Sequence, residues 1–232
     1  MDSDLQQLAA PVRAGRGRPA KLTAALIVAK AREMLLVKQP EEITFAMLGR
    51  ELRMPSSSVY NYFPNREALL AAVAADVFAS FHFDDPGPDA PWQQRLRAWL
   101  NEIDRFFDRN PVAFRVMATN SQASSGWINV RALLLDVLHG LGYSGRELTL
   151  VHAWFEGQVT GMLLIEYHSA LNRAIAGDFE LDLASASSEA ERCDMERRHY
   201  LPSIRREEIV SLGYDSLIGA LERMVADKAK GD

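Results

Sequence analysis

Apolar residues recur at three- and four-residue spacings along most of the chain, and no segment alternates with the two-residue period of a half-buried strand. The pattern predicts an all-α protein. Ile27, Ala31, Met34 and Leu35 form one stripe of a first helix over 23–37, with Lys30, Arg32 and Glu33 on its other side. Gln39-Pro40-Glu41-Glu42 ends that helix. Thr44 reads as the N-cap of a second helix, with Ile43 and Leu48 as its hydrophobic staple and Ala46, Leu48 and Leu52 facing inward. Arg53-Met54-Pro55 breaks the pattern, because the residue before a proline disfavours helical angles. A third helix opens at Pro55 or Ser56, turns Val59 and Phe63 inward and stops before Pro64. Two short amphipathic segments so tightly separated predict a helix-turn-helix. Asn65 caps a fourth, alanine-rich helix over 67–80.

The chain is punctuated once, at Asp84-Asp-Pro-Gly-Pro-Asp-Ala-Pro91. Beyond it, Leu96, Trp99, Leu100, Ile103 and Phe107 keep helical phase over 92–109, and Pro111 opens a short helix over 112–119. A turn at 120–126 leads to a helix over 128–141 that ends on Gly140 and Gly142. Ser144 and Glu147 form a capping box for a long helix over 144–176. Residues 177–187 are an acidic, small-residue loop, Ser188 and Glu191 cap a modest helix ending near Pro202, and the last helix covers 207–228. The expected organisation is a basic arm at 1–20, a three-helix helix-turn-helix domain at 21–66, a linking helix at 67–83 and a helical domain at 84–232.

Charge sharpens this picture. Residues 1–66 hold 10 Lys/Arg against 6 Asp/Glu, whereas 67–232 hold 16 against 25, so a net charge of -5 conceals a basic front on an acidic body. Such asymmetry is expected if only the front docks on DNA. The outward residues of the third helix and its exit are Ser56, Ser57, Ser58, Tyr60, Asn61 and Tyr62. They include no carboxylate, and can hydrogen-bond phosphates and base edges in a major groove. Arg66, in the first turn of the fourth helix, is within reach of a phosphate, and Thr44 completes this surface. The arm carries Arg16, Arg18 and Lys21. Arg16-Gly17-Arg18-Pro19 resembles the core of an AT-hook, so the arm either enters an adjacent minor groove or adds non-specific affinity as a basic tail.

The single cysteine, Cys193, excludes an internal disulfide and a multi-cysteine zinc site. His152 and Glu156 share a helix face, but two ligands do not make a metal site, and no metal or cofactor is expected. No phosphate-binding glycine loop, nucleophile elbow or His-Glu-x-x-His run is present, so catalysis is not expected. The start Met-Asp-Ser-Asp-Leu lacks a basic n-region and an apolar h-region, and no apolar run is membrane-length, so the protein is expected in the cytoplasm and off the membrane.

Residues 22–77 resemble the DNA-binding domain of the tetracycline-repressor (TetR) family of bacterial transcriptional regulators. Tyr60-Asn61-Tyr62-Phe63-Pro64-Asn65-Arg66-Glu67-Ala68-Leu69-Leu70 matches the family's aromatic-x-(His or Tyr)-Phe-x-x-(Lys or Arg)-x-x-Leu-Leu run at every marked position. Arg66 stands where the family usually has a phosphate-contacting lysine, with the charge kept. Ser56 to Tyr60 match the recognition helix in position, where the family varies, so no base assignment carries over. Residues 209–221 are similar to the family's final helix.

The resemblance implies a homodimer joined through a four-helix bundle, double-stranded operator DNA as partner, repression, and a small-molecule effector bound inside the second domain. The helices implied to hold the effector carry Trp99, Phe114, Met117, Asn120, Trp127, His139, His152, Phe155 and Glu156, although each aromatic also suits an ordinary core. Ala153, Gly157 and Gly161, four apart on the long helix, form a strip that admits a neighbouring helix. With Leu217 and Leu221 they are the candidate dimer face, and the same strip suits packing within one subunit. Two other readings remain: an architectural minor-groove protein using the arginine arm, and a helical ligand-binding protein or enzyme indifferent to DNA.

Overall fold

The computed structural model describes residues 23–117, 126–175 and 186–231, with the side chains of 126, 127, 167–175 and 231 left aside. Among the described residues the chain is helical and has no strand, as its periodicity predicts. The helices are α1 (Ala24–Met34), α2 (Phe45–Glu51), α3 (Ser56–Tyr60), α4 (Arg66–Ala79), α5 (Trp92–Arg109), α6 (Pro111–Met117), α7 (Gly126–Gly140), α8 (Gly145–Ile175), α9 (Glu189–Tyr200) and α10 (Arg206–Gly231). Short 3-10 turns at Pro40–Glu42 and Leu201–Ser203 precede α2 and α10. The expected 177–187 loop lies almost wholly outside the described residues.

Local chemistry sets the helix starts. Thr23, Thr44, Asn65 and Ser188 each stand in extended backbone before a helix, and their side-chain oxygens accept from the amide three residues on, at 3.2, 3.2, 2.7 and 3.2 Å. Each such cap stabilises its helix by about 1 kcal/mol. The box at Ser188 is only half as expected: the Glu191 carboxylate accepts from the Ser187 amide at 2.7 Å instead of reaching Ser188. In α2 the inward side chains are Phe45 and Leu48, with Leu52 half-buried, whereas Ala46 is exposed. The helix begins directly after its cap, so positions 45, 48, 49 and 52 share the face and 46 lies about 100° away.

The turn between α2 and α3 is tight. Arg53 has φ 55°, its amide donates to Arg50 O at 3.1 Å, and the Met54 amide donates to Gly49 O at 2.7 Å. These two bonds make a Schellman ending, with arginine in the left-handed position that glycine usually takes. A β-carbon on Gly49 would stand 2.7 Å from the Met54 carbonyl oxygen and 3.1 Å from the Ser56 amide nitrogen. Only glycine lets α2 approach the entry of α3 so closely.

α4 is the spine. It buries Leu69, Leu70, Val73, Ala74, Val77 and Phe78 and packs against α1, α6 and α7. Its Phe78 ring meets Phe106 at 5.6 Å and Phe107 at 6.2 Å, and Phe107 meets Phe114 of α6 at 4.3 Å. The 84–91 segment is pinned by Arg95 of α5, whose Nη2 lies 2.6 Å from Asp85 and 2.9 Å from Asp136 of α7. α10 is held against α5 by Arg206 with Asp104 and by Arg97 with Asp215, both around the buried Tyr214. Its far end reaches α8 through Lys228 and Glu147 at 2.7 Å.

Candidate DNA-contacting face and ligand cavity

α3 buries Val59, with Phe63 just beyond it also buried, and so turns its polar side outward. Ser57, Tyr60 and Asn61 are exposed, Ser56 and Ser58 half-buried, and Tyr62 is 42% exposed. Tyr60 is 58% exposed yet held in place, because its ring stands edge-on to Phe45 at 4.6 Å. Thr44 caps α2 and remains exposed beside it. Arg66 Nη1 donates to the Glu41 carbonyl at 3.1 Å, and Nη2 lies 3.5 Å from Glu67, which holds the guanidinium against the turn before α2. A surface groove of about 360 Å³ is lined by Thr44, Tyr60, Asn65 and Arg66 among others. Candidates from three separate helices therefore meet on one surface. Arg16, Arg18 and Lys21 lie outside the described residues.

The second candidate site is interior. Trp99 and Phe107 of α5, Met117 of α6, Arg131 of α7, and His152 and Glu156 of α8 are among the walls of a cavity of about 30 Å³. That volume holds about one water molecule. Trp99 is a fixed wall, its indole donating to Val130 O at 2.9 Å. Arg131 was missed by sequence reasoning. Its Nε and Nη2 donate to Glu156 Oε1 at 3.0 and 2.8 Å. The available signal was a lone cation within the apolar run Val130-Arg131-Ala132-Leu133-Leu134-Leu135. His152 Nδ1 lies 3.6 Å from Glu156 Oε2, and its Nε2 is buried with no hydrogen-bond partner among the described residues. Burial holds the His152 pKa below its ordinary value, against the opposing pull of Glu156, so the ring is neutral at pH 7.

Four candidates, Trp99, Met117, His152 and Glu156, are thus brought to one cavity. Phe114 backs its wall through Phe107, and Phe155 is buried beside Trp154, away from the lining. His139 is a correction: α7 faces inward with Val130, Leu133, Leu134, Val137 and Leu138, and position 139 falls on the exposed side. Asn120 and the side chain of Trp127 lie outside what is described.

The cavity and the helices of the N-terminal unit are in physical contact. Phe107 touches both the cavity and, through Phe78, α4. Arg115 of α6 donates to the Lys38 carbonyl, beyond α1, at 2.5 Å, and Arg32 of α1 donates to Asn110 at 3.4 Å and Asp76 at 3.1 Å.

Along α8, Ala153 and Gly157 are exposed and Gly161 half-buried; apart from the helix's own turn, no atom of the described residues lies within 4 Å of a β-carbon built on either glycine. Leu150 and Ile165, at 60% and 63% exposure, flank the strip. Within the subunit, α8 and α10 instead meet closely at Gly213, where a β-carbon would overlap the Met162 sulfur. Leu217 and Leu221 are corrected: both are buried in the subunit's own core, and the outward apolar residue of α10 is Leu212, 69% exposed.

A helix-turn-helix on a central spine helix, joined to a helical bundle with an internal cavity, is the fold of the TetR family of transcriptional regulators. The chain is similar to ActR of Streptomyces coelicolor in complex with actinorhodin: 18% identity over 89% of this chain and 99% of that one, with a TM-score of 0.72. It is similar also to TetR from Acinetobacter baumannii AYE, with 20% identity, 88% and 99% coverage and a TM-score of 0.63. A variant of that TetR has been solved with minocycline; it shares 21% identity with this chain over 88% and 95% of the two, with a TM-score of 0.63. No family model and no curated protein sequence matches the chain. No helix among the described residues is long and apolar enough to cross a membrane.

Proposed function

We propose that the protein is a ligand-responsive transcriptional regulator of the TetR family, acting in the cytoplasm as a homodimeric repressor and released from its operator by a small molecule. Residues 21–66 are its DNA-binding unit, 67–83 the linking helix, 84–232 the effector and dimer domain, and 1–20 a basic arm. The observation that carries this reading is the surface shared by Thr44, Tyr60 and Arg66 around α3, a helix without a carboxylate. α3 enters the major groove, where Ser57, Asn61 and Tyr62 read base edges and Arg66 neutralises a phosphate. Two copies meet through the open face at Ala153, Gly157 and Gly161 and present their α3 helices to half-sites roughly 34–36 Å apart, or a multiple of that.

Effector binding acts through the walls of the cavity. A ligand larger than one water displaces Phe107 and Met117, and Phe107 bears on Phe78 of α4. Arg115 and Arg32 carry the same displacement to the α1 side. The ligand favours release only by the difference in its affinity for the two arrangements. That ActR was solved with actinorhodin and a TetR with minocycline supports a small-molecule effector for this fold.

The experiment is selection of bound sites from a random duplex pool at near-physiological salt. An enriched inverted repeat is expected. Enrichment for A·T content alone would transfer DNA binding to the arginine arm, and no enrichment would overturn the regulator reading.

A further inference from the structure

The polar groups of the cavity restrict what can fill it. Arg131 and Glu156 already satisfy one another at 2.8 and 3.0 Å, so their charges cancel within the wall. A ligand anion would face the Glu156 carboxylate and a ligand cation the Arg131 guanidinium, each without a partner of its own in a largely apolar enclosure. Besides the Thr160 hydroxyl, the other polar feature of the lining is Nε2 of His152, buried with no hydrogen-bond partner among the described residues. Buried polar atoms rarely lack a partner, so this nitrogen marks the place of a ligand group or a water. The Glu156 carboxylate, 3.6 Å from Nδ1 and beyond hydrogen-bond length, favours the Nδ1–H tautomer through its charge, and in that tautomer Nε2 is the acceptor.

We infer that the effector is an uncharged, largely apolar molecule bearing a hydroxyl donor, with a phenol as its simplest form, and that His152 Nε2 receives the hydroxyl proton in a hydrogen bond. The inference rests on the proposal that this cavity is the effector site. It also accounts for the cavity's size. The ligand hydroxyl takes the place of the single water that about 30 Å³ admits. Its ring makes room by moving the flexible Met117 and by pressing Phe107 toward α4.

The test is equilibrium dialysis of the full chain against three matched probes: 2-naphthol, naphthalene and 2-naphthoate. 2-Naphthol should bind about tenfold more tightly than naphthalene, the increment of one well-made hydrogen bond, and 2-naphthoate more weakly than either. His152→Leu should remove the naphthol advantage, and His152→Gln, which keeps an acceptor, should restore most of it. 2-Naphthoate binding as tightly as 2-naphthol, or naphthalene doing so, overturns the ligand class while leaving the cavity as a binding site. Failure of all three probes on the unaltered chain overturns the cavity as an effector site. Operator selection is independent of both outcomes and tests the DNA-binding reading separately.

Discussion

Gly49→Ala is the most direct test of how the recognition helix is positioned. The new β-carbon would lie 2.7 Å from Met54 O, 3.1 Å from Ser56 N and 3.3 Å from Ser56 Cα. Ordinary contacts begin near 3.4 Å, so α2 and the entry of α3 must part by about 0.7 Å. All three neighbours are backbone, and no rotamer relieves the clash. Overpacking of this kind costs about 1–3 kcal/mol. Alanine returns about 1 kcal/mol of helix propensity. With all three neighbours backbone the cost lies in the upper part of that range, about 2–3 kcal/mol, so after the propensity gain a net loss of about 1–2 kcal/mol remains, which at a urea m-value of roughly 2 kcal/mol/M lowers the midpoint by about 0.5–1 M. Urea titration followed by far-UV circular dichroism measures it. Binding to the selected operator should fall, whereas naphthol binding in the distant cavity should not. A variant as stable as the parent would refute the close approach of α2 to α3.

Three further perturbations address separate parts. Gly161→Leu points into open space in its own subunit, so the fold should hold while sedimentation equilibrium shifts from dimer to monomer; a persistent dimer would remove this face from the interface. Arg66→Ala should weaken all DNA about equally and reduce the salt slope by about 0.9 for each phosphate that is no longer neutralised, and an unchanged slope would refute the phosphate assignment. His152 has a folded-state pKa below its ordinary 6.5, so the unfolded chain takes up the proton first. The stability carried by the neutral ring is complete above about that value and is lost as the pH falls through it. His152→Gln should therefore show a smaller drop in urea midpoint between pH 7.5 and 5.5, and an equal drop would show that another group is responsible.

What the sequence revealed was mostly local. The caps Thr44, Asn65 and Ser188 act over three residues, and each lies where a side-chain oxygen precedes an apolar run. Facing was harder. Thr44 caps α2 as expected, but Leu48 and Leu52 are in helical phase with Phe45 and not with Ala46, so Phe45 is buried and Ala46 exposed. The left-handed Arg53 was hidden because that conformation is usually signalled by glycine or asparagine. Leu217 and Leu221 are apolar at helical spacing, and spacing cannot tell a subunit's core from a partner's surface. The same limit misplaced His139. The Arg131–Glu156 pair was out of reach for another reason: its members stand 25 residues apart on different helices, and only packing brings them together.

The length of α4 turns a small tilt into a large displacement at its far end. Phe78 lies one residue from the end of this fourteen-residue helix, and Arg66 begins it. At 1.5 Å per residue, about 18 Å of rigid rod separates the two. If the helix pivots near Phe78, a rotation of roughly 10° swings the Arg66 end through about 3 Å. Hydrogen bonds to base edges tolerate far less than that. On the proposed reading, a tilt of α4 by roughly 10° therefore suffices to take the Arg66 end out of register on DNA, with no rearrangement within the helix itself.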